Sequence, residues 1–284
     1  MKVDLHTHSH FSDGAHSPKF VVERAHANGV SHLALTDHDC LEGYVSAANL
    51  DLPDSLQLIP GVEISALWDT REVHVVGLFV CPSHPGLSSL LIDQQERRWQ
   101  RFMEFDRKLV KAGISGLDQY LEDSPCCSPG RAHVARFLAD NTRLGTHKKA
   151  FRSLTRNGRF YVRPQWCPLD DAIQQIRAAG GIAVLAHPHR YPLSKSGFKR
   201  LLREFRDAGG EAMEVCCSNM PRDKIAHLAQ LSQELELLAS AGSDFHSSEA
   251  TWMDIGRLPP VPETVTKNAI WTHARWHFPD AQPD

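Results

Sequence analysis

Two histidines near the start of the chain have the spacing of a metal site. Residues 2–5 alternate between polar and apolar side chains, which predicts a short strand. His6 and His8 lie at the end of this strand. Alternate residues of a strand point to the same face, so both imidazoles are able to reach one ion. Histidine is the commonest metal ligand in proteins. The pair therefore indicates a metal site, with an ordinary polar strand end as the alternative.

More side chains of the metal-ligating types occur along the chain, most of them directly after a predicted strand. In a βα barrel the carboxyl ends of the strands meet at the active-site face, so such residues would meet in one pocket. Two candidates differ in position: Asp13 lies in a turn and His74 inside a predicted strand. Taken singly, Asp13 also suits a turn former and His74 a core histidine. The remaining candidates are His38, Glu63, His187, Asp244 and His246.

Nine candidate ligands are too many for one ion. Zinc takes four ligands and Ca²⁺ takes about six to eight, so the set indicates two or three ions with one bridging carboxylate, Glu63. Imidazole-rich sites suit Mn²⁺, Fe²⁺ or Zn²⁺ better than Mg²⁺, and we expect Mn²⁺. A site of this kind can hydrolyse a phosphate ester without a Ser or Cys nucleophile.

The elements that carry these residues alternate between strands and helices. Ser17-Pro18 predicts the start of a helix and Gly29 its end. The first half continues with a strand at 31–36, a helix from about 41, and strands at 58–62 and 73–80. The second half has predicted helices at 169–179, 196–207 and 222–234 and predicted strands at 182–186, 212–216 and 237–241. Repeated βα units predict an α/β fold whose parallel sheet closes, fully or partly, into a barrel.

The segment 94–164 interrupts this alternation, beginning with a long helix predicted at about 94–112. It holds fifteen Lys and Arg against seven Asp and Glu, a balance of +8, whereas the whole chain carries −3 and the remainder therefore −11. We predict a barrel of residues 1–93 and 165–284 that binds cations, and an inserted, mainly helical subdomain at 94–164 that binds a polyanion. The alternative is that these helices are Arg-rich for solubility alone.

A turn in this insert is a candidate anion site. Ser128-Pro129-Gly130-Arg131 precedes the run 132–138 and predicts a helix N-terminus, where free N–H groups favour an anion. Arg131 is able to bind a phosphate through two hydrogen bonds, although a plain surface arginine is the alternative. The further candidates for substrate contact are Ser128 in the same turn, His189 and Arg190 after His187, and Arg159 and Arg163 in the insert.

All nine candidate ligands stand in motifs that resemble those of the PHP family, named for polymerase and histidinol phosphatase. The motifs are His6-Thr7-His8, Asp13-Gly14, Thr36-Asp37-His38-Asp39, Gly61-Val62-Glu63, His74, His187-Pro188 and Asp244-Phe245-His246. The resemblance covers about 1–90 and 168–256 and implies a distorted seven-stranded (β/α) TIM-like barrel with three metal ions. It also implies that one ion is held by His6, His8, Glu63 and Asp244, a second by Glu63, His74 and His187, and a third by Asp13, His38 and His246.

The insert and its turn resemble the stand-alone subgroup of that family often labelled TrpH or YciV. Members act as nucleoside 3′,5′-bisphosphate phosphatases and as 5′-to-3′ exonucleases on short RNA. The resemblance implies hydrolysis of the 3′-phosphate of substrates such as 3′-phosphoadenosine 5′-phosphate. Histidinol-phosphate phosphatase is the alternative enzyme, and a non-catalytic, metal-stabilised nucleic-acid-binding module is the alternative of another class. The residues that we expect to act in catalysis are Glu63, His187, Asp244 and His246. Either histidine, or a metal-bound water, is a candidate proton donor to the leaving group.

Bulk composition adds limits to this interpretation. Hydrophobic residues make up 42% and charged residues 23%, ordinary values that argue against a disordered or collagen-like chain. Seven cysteines without a Cys-x-x-Cys pair predict reduced thiols. No apolar run reaches the roughly 18 residues of a spanning helix, so we expect a cytoplasmic protein without a membrane partner. We expect a nucleotide or short oligonucleotide to bind, and neither double-stranded nucleic acid nor an obligate protein partner.

Overall fold

The structure is a computed structural model that describes residues 1–122, 124–142 and 146–276. Ser17 caps the first helix, because its side chain accepts a hydrogen bond from the Phe20 N–H at 3.3 Å, and Pro18 follows as the first helical residue. The predicted start of this helix is therefore confirmed. The elements of the first part are β1 (Val3–Thr7), α1 (Pro18–Ala27), β2 (His32–Leu35), α2 (Glu42–Ala48), β3 (Gln57–Trp68) and β4 (Arg71–Leu78).

Three helices and a second βα series complete the fold. The helices are α3 (Pro85–Lys111), α4 (Arg131–Asn141) and α5 (His147–Ser153). The second series is β5 (Cys167–Pro168), α6 (Leu169–Ala178), β6 (Ile182–Leu185), α7 (Lys195–Asp207), β7 (Ala212–Cys217), α8 (Arg222–Glu234), β8 (Leu238–Gly242) and α9 (Glu263–Thr266). The six elements predicted for 169–241 are all present, each within one residue of its predicted bounds. The last residues of the predicted barrel domain, 277–284, lie outside the described residues.

The strands form a sheet that closes on itself. Their order is β1-β2-β3-β4-β6-β7-β8, with the two-residue β5 paired to β3. The segment after β8 pairs with β1, since the Asp244 N–H donates to the His6 carbonyl at 2.8 Å and the His8 N–H to the Phe245 carbonyl at 2.9 Å. The α/β barrel predicted from the alternating pattern is therefore confirmed.

The expectation of a parallel sheet is wrong for one strand. β4 runs antiparallel to both of its neighbours, β3 and β6. Only Asp69 and Thr70 separate Trp68 from its partner Arg71, and two residues can form a hairpin but not the crossover that parallel strands need. For the same reason β3 does not end at about residue 62 as predicted, but continues as one arm of the hairpin through Trp68.

Each strand has an outer face covered by helices and an inner face that encloses the barrel. Val62 and Ile64 of β3 belong to the largest apolar cluster, which they share with residues of α6 and α3. Ile59 and Val76 belong to a second cluster formed by the opposite face of the strands. Because side chains alternate along a strand, Glu63 shares the inner face with Ile59, and His74 shares it with Val76. Ligand candidates thus lie on the same inner face of the barrel as this second apolar cluster, nearer to one end of the strands.

The long helix of the insert begins earlier than predicted. α3 starts at Pro85 and not near residue 94, because His84 caps it by accepting a hydrogen bond from the Leu87 N–H at 3.3 Å. Leu87 and Leu91, one turn apart, pack in the barrel cluster. Later turns of α3 pack with α4 in a separate apolar cluster that includes Phe102, Phe105, Val134, Phe137 and Leu138. The described helices include none long and apolar enough to cross a membrane.

Candidate metal centre

The nine predicted ligands lie together at one end of the barrel. His6 and His8 lie on and just after β1, and Glu63 lies inside β3. His74 is near the start of β4, and because this strand is antiparallel, its start is at the same end as the carboxyl ends of the parallel strands. The other five follow strands β1, β2, β6 and β8, and they are Asp13, His38, His187, Asp244 and His246.

Glu63 is fully buried at the middle of this cluster. Its oxygen Oε1 lies 2.9 Å from both His74 Nδ1 and His187 Nε2. Burial disfavours a charge on this side chain, but the surrounding imidazoles, His38 first, hold the pKa of Glu63 well below its usual value. The two oxygens therefore face different sets of nitrogens, as a bridging carboxylate would. The nitrogens around Oε2 are His38 Nδ1 at 2.9 Å, His6 Nε2 at 3.2 Å and His8 Nε2 at 3.3 Å.

Two aspartates complete the cluster on the side of β8. Asp244 Oδ1 lies 3.3 Å from His8 Nε2 and 3.5 Å from His6 Nε2. Asp13 Oδ1 lies 3.1 Å from His246 Nε2. Burial opposes both charges of this second pair, yet their attraction lowers the pKa of Asp13 well below its usual value and raises that of His246 to about 9. Each carboxylate is thus held in its ionised form, which is the form that binds a cation.

Unpaired buried atoms provide a test of whether these side chains fit metal ions. Asp13 Oδ1, His38 Nδ1, Glu63 Oε2 and His187 Nδ1 are buried and have no hydrogen-bond partner among the described residues. His38 Nδ1 and Glu63 Oε2 are 2.9 Å apart, and His246 Nε2 and Asp13 Oδ1 are 3.1 Å apart, but both contacts lack the alignment of a hydrogen bond. Buried polar atoms are normally paired, so lone pairs that face one another fit a shared cation. The donor set, six imidazoles with three carboxylates, fits divalent metal ions.

Eight of the nine ligand candidates, all except His187, fall into three groups whose donor atoms lie within 4.8 Å of one another. His8 and His38 connect the groups, because each belongs to two of them. The groups are His8, Asp13, His38 and His246; His6, His8 and Asp244; and His38, Glu63 and His74.

Unusual backbone angles occur at two of the ligand candidates. His187 and Asp244 have φ angles of 30° and 56°, in the left-handed region that residues other than glycine rarely adopt. Each lies just after a strand, where the chain reverses into a loop. Strain of this kind persists where the surrounding structure holds it in place, and it is concentrated at functional sites.

A carboxylate on β7 supports the ligands and was missed by sequence reasoning. Glu214 Oε1 lies 2.7 Å from His6 Nδ1, and its other oxygen accepts a hydrogen bond from the His187 N–H. A carboxylate behind a metal-binding histidine fixes the ring orientation and the tautomer. Its signal in the sequence was a single charge inside the apolar run 212–217. Asp37 has a similar supporting role, since it accepts hydrogen bonds from the Ser9 N–H at 2.7 Å and the Ser12 hydroxyl at 2.6 Å.

A cavity of about 440 Å³, here called the inner cavity, opens beside His74 and His187. It contains two of the predicted substrate residues, Arg131 and Arg190. Arg131 begins α4 as predicted, and its Nη2 lies 3.3 Å from Glu72 Oε1. Arg190 donates a hydrogen bond to Asp244 Oδ2. Lining residues that sequence reasoning missed are Glu72, Arg156, Tyr161 and Tyr191.

The other predicted substrate residues lie outside the inner cavity. Ser128 is fully buried, and its hydroxyl has no partner among the described residues. His189 lines a neighbouring cavity on the far side of Tyr191. Arg159 is exposed and lies over the Phe160 ring, and Arg163 lines a separate groove on the insert. Only part of the predicted substrate set therefore converges on the candidate metal centre.

A βα barrel with buried imidazoles and carboxylates at its open end, beside an arginine-lined cavity, is the arrangement of a metal-dependent hydrolase. Comparison with known proteins agrees with this class. The chain belongs to the PHP family, because the family model described as the PHP domain matches residues 4–161. The predicted family is therefore confirmed.

Curated relatives and a solved structure are similar over nearly the whole chain. The 5′-3′ exoribonuclease Rnm of Salmonella typhimurium is 40% identical over 274 residues, 94% of this chain and 92% of that protein. The 3′,5′-nucleoside bisphosphate phosphatase of Chromobacterium violaceum is 38% identical over 267 residues, 91% of this chain and 93% of that protein. A structure from the same organism, described as an amidohydrolase with bound sulfate and no metal, matches with a TM-score of 0.88, 36% identity, and coverage of 96% of this chain and 95% of its own. This chain is a phosphoesterase of the PHP family, and these names favour an enzyme over a non-catalytic module.

Proposed function

We propose that this chain hydrolyses the 3′-phosphate ester of nucleoside 3′,5′-bisphosphates, giving a nucleoside 5′-monophosphate and phosphate. We propose that it also hydrolyses the corresponding ester bond of short RNA. The two relatives named above carry one of these activities each in their names. The observation that supports the proposal most is the inner cavity, because Arg131 and Arg190 line it together with the ligand candidates His74 and His187. A substrate with two phosphates fits such a cavity, since one is held while the other is cleaved.

We propose that the nine ligands hold two or three divalent ions, with Mn²⁺ ahead of Fe²⁺ and Zn²⁺ and with Mg²⁺ less well suited. The two oxygens of Glu63 support a bridging role, because His6, His8 and His38 lie near Oε2 and His74 and His187 lie near Oε1. Asp244 lies within 3.5 Å of both His6 and His8 and completes the first set. The third ion is assigned to Asp13, His38 and His246. When bound, such ions lower the pKa of water and stabilise charge on phosphate oxygens.

The protein's own residues supply binding and orientation. Arg131 is held in place by Glu72, and its guanidinium lies 5.4 Å from the centre of the Phe151 ring. Burial disfavours a charge on Glu72, but Arg131 and His74 beside it hold the pKa of Glu72 well below its usual value. A guanidinium fixed in this way loses little freedom when it binds a phosphate through two hydrogen bonds. Arg131 therefore suits the 5′-phosphate, the one that is not cleaved.

The insert contributes several residues to this cavity. Arg131, Arg156 and Tyr161 come from the segment 94–164, while His74, His187 and Arg190 come from the barrel. This division supports the proposal that 94–164 is a basic substrate-binding subdomain and the barrel the catalytic domain. It also gives the positive balance of the insert a direct role in binding an anion.

The proposal is tested by replacing the arginine and comparing substrates. Arg131→Ala should lower kcat/KM for adenosine 3′,5′-bisphosphate by about 100-fold, because a charge-assisted hydrogen bond to phosphate contributes about 1.5–3 kcal/mol and this side chain can make two. Hydrolysis of a simple aryl phosphate, which has no second phosphate, should change by less than about threefold. Initial rates of phosphate release with Mn²⁺ give both values.

The matched control is Arg159→Ala, which removes an exposed arginine of the same insert outside the inner cavity. It should leave both substrates unaffected. Equal losses on the two substrates in Arg131→Ala would contradict the assigned role of the arginine. Absence of phosphate release from the bisphosphate by the unmodified enzyme loaded with Mn²⁺, Fe²⁺ or Zn²⁺ would contradict the proposed function itself.

A further inference from the structure

A second cavity adjoins the inner cavity at the open end of the barrel. This outer cavity, of about 420 Å³, lies between the first turns of α7 and α8 and is lined by Phe198, Lys195, Lys199, Lys224 and Leu228 among others. Tyr191 and Leu193 line both cavities, so only this segment separates them. The rings of Tyr191 and the ligand candidate His187 are 5.7 Å apart. The outer cavity is therefore directly beside the candidate metal centre.

The lining of the outer cavity combines an apolar floor with a basic rim. Phe198 is partly buried against the barrel cluster, and Leu228 and Leu231 form the floor beside it. Three lysines line the cavity and no carboxylate does. Lys199 lies 3.7 Å from Glu234, whereas Lys195 and Lys224 have no ion-pair partner among the described residues. An aromatic ring with nearby unpaired cations is the combination that binds single-stranded nucleic acid, through stacking and charge.

The chemistry of the proposed reaction explains why a second cavity is needed for RNA but not for a bisphosphate. In both substrates a water oxygen forms a bond to phosphorus, the P–O3′ bond breaks, and the 3′-oxygen of the first nucleotide takes up a proton. With a bisphosphate, the released group is phosphate alone. With RNA, the same phosphorus remains attached to the 5′-oxygen of the next nucleotide, so the rest of the chain must extend out of the centre.

We propose that the outer cavity binds the second nucleotide of a short RNA, with its base against Phe198 and the phosphate that follows it near Lys195 and Lys224. This inference rests on the proposed function and deepens it, because it assigns a subsite to the second nucleotide of the RNA substrate. The neutral or cationic lining suits a polyanion, and an aromatic face accepts any base, so the subsite selects for chain length and not for sequence. A nucleoside bisphosphate leaves the outer cavity empty.

The test compares adenosine 3′,5′-bisphosphate with a 5′-phosphorylated trinucleotide of adenosine. Phe198→Leu keeps the floor apolar but removes the aromatic face, and it should lower kcat/KM for the trinucleotide by about tenfold, the effect of losing one stacked base. The double variant Lys195→Gln and Lys224→Gln should also lower it by about tenfold and should weaken its dependence on salt. The bisphosphate should be hydrolysed within about twofold of the unmodified rate by every variant.

The control variant is Lys19→Gln, an exposed lysine on α1 that lines neither cavity. It should not affect either substrate. A loss that is equal for trinucleotide and bisphosphate, or no loss for either, would overturn the inference. If the unmodified enzyme releases phosphate from the bisphosphate but does not shorten the trinucleotide, the outer cavity is not an RNA subsite, yet the bisphosphatase proposal stands. If it acts on neither substrate, the proposed function is wrong, and the inference that rests on it is wrong as well.

Discussion

At the scale of single residues, the centre depends on side chains that hold the ligands as well as on the ligands. Glu214 contacts the His6 ring through one oxygen and the His187 backbone through the other. It thereby couples β7 to ligand candidates on β1 and after β6. Burial disfavours a charge on Glu214, but His6 beside it lowers the pKa of Glu214 below its usual value. The ionised carboxylate is therefore able to accept a hydrogen bond from His6 Nδ1–H.

Glu214→Gln tests this supporting role. The amide has nearly the same shape but is a weaker acceptor, so the affinity for Mn²⁺ should fall by about 10- to 100-fold, the usual cost of losing such a partner. Equilibrium dialysis with Mn²⁺ measures this directly, without reference to activity. At saturating Mn²⁺ most of the kcat should return, because Glu214 does not reach the substrate cavity. Glu211→Gln, a partly exposed glutamate just before β7, is the control, and an equal loss of affinity there would refute the role.

The residues that could be predicted from sequence are those whose position after a strand is itself a signal. His6, His38, His187 and Asp244 follow apolar segments, and the structure brings them together. Glu214 lies inside such a segment. Its role depends on its contact with His6 of β1, which is 208 residues earlier in the sequence. His189 was predicted to contact the substrate because it follows His187 by two residues. The short turn after β6 instead places it in the outer cavity.

At the scale of elements, the start of α4 carries a buried histidine whose charge state affects stability. The Gly130 N–H donates a hydrogen bond to His133 Nδ1 at 3.1 Å, which requires an unprotonated nitrogen. Burial, with Arg136 and Arg98 nearby, lowers the pKa of His133 to about 4 from its ordinary 6.5. The unfolded chain therefore binds a proton that the folded chain does not between these two values. This contribution to stability is full above pH 6.5 and is lost as the pH falls toward 4.

We expect His133→Gln to reduce this pH dependence. Between pH 7 and pH 5 the histidine should account for about 2 kcal/mol of lost unfolding free energy, and glutamine has no such titration. Urea denaturation of metal-free protein at the two pH values measures the difference for each variant. His26→Gln, which replaces an exposed histidine on α1, should retain the full pH dependence. The same loss of stability in His133→Gln and in the unmodified protein would show that His133 is not responsible.

Helices and strands were predictable where the local sequence signals agreed. The prediction was wrong where contacts between distant segments determine the structure. The hairpin of β3 and β4 required Asp69 to adopt a φ of 53°, and a strand pattern alone does not show which way the next strand runs. The early start of α3 is stabilised by the packing of Leu87 and Leu91 in the barrel cluster. A later turn of the same helix also contacts the barrel. Arg98 of α3 donates to Asp39 Oδ2 at 2.6 Å and to the Ser65 hydroxyl at 2.6 Å, and this buried pair ties the insert to the loop that carries His38.

At the scale of the whole molecule, two parts of the sequence with opposite charge balance contribute residues to one cavity. The segment 94–164 has a balance of +8 and the rest of the chain −11. The barrel's excess of carboxylates includes Asp13, Glu63 and Asp244, which are buried together and repel one another unless cations lie between them. Metal ions would relieve this repulsion in the folded state only, because the unfolded chain does not bring the three residues together. The stability of the whole fold should therefore depend on metal.

Mn²⁺ should raise the melting temperature of the protein, and chelation should lower it. A ligand that binds only the folded state stabilises it by about 2.7 kcal/mol at a hundred times its Kd, which for a chain of this size corresponds to about 5–10 °C. Differential scanning fluorimetry after dialysis against EDTA, with Mn²⁺, Zn²⁺ or Mg²⁺ added back, measures the shift. Mg²⁺ should give the smallest shift, because imidazoles are poor ligands for it. Glu63→Gln, which removes the proposed bridge, should show less stabilisation by Mn²⁺ than the unmodified protein, and an undiminished shift would contradict the bridging role.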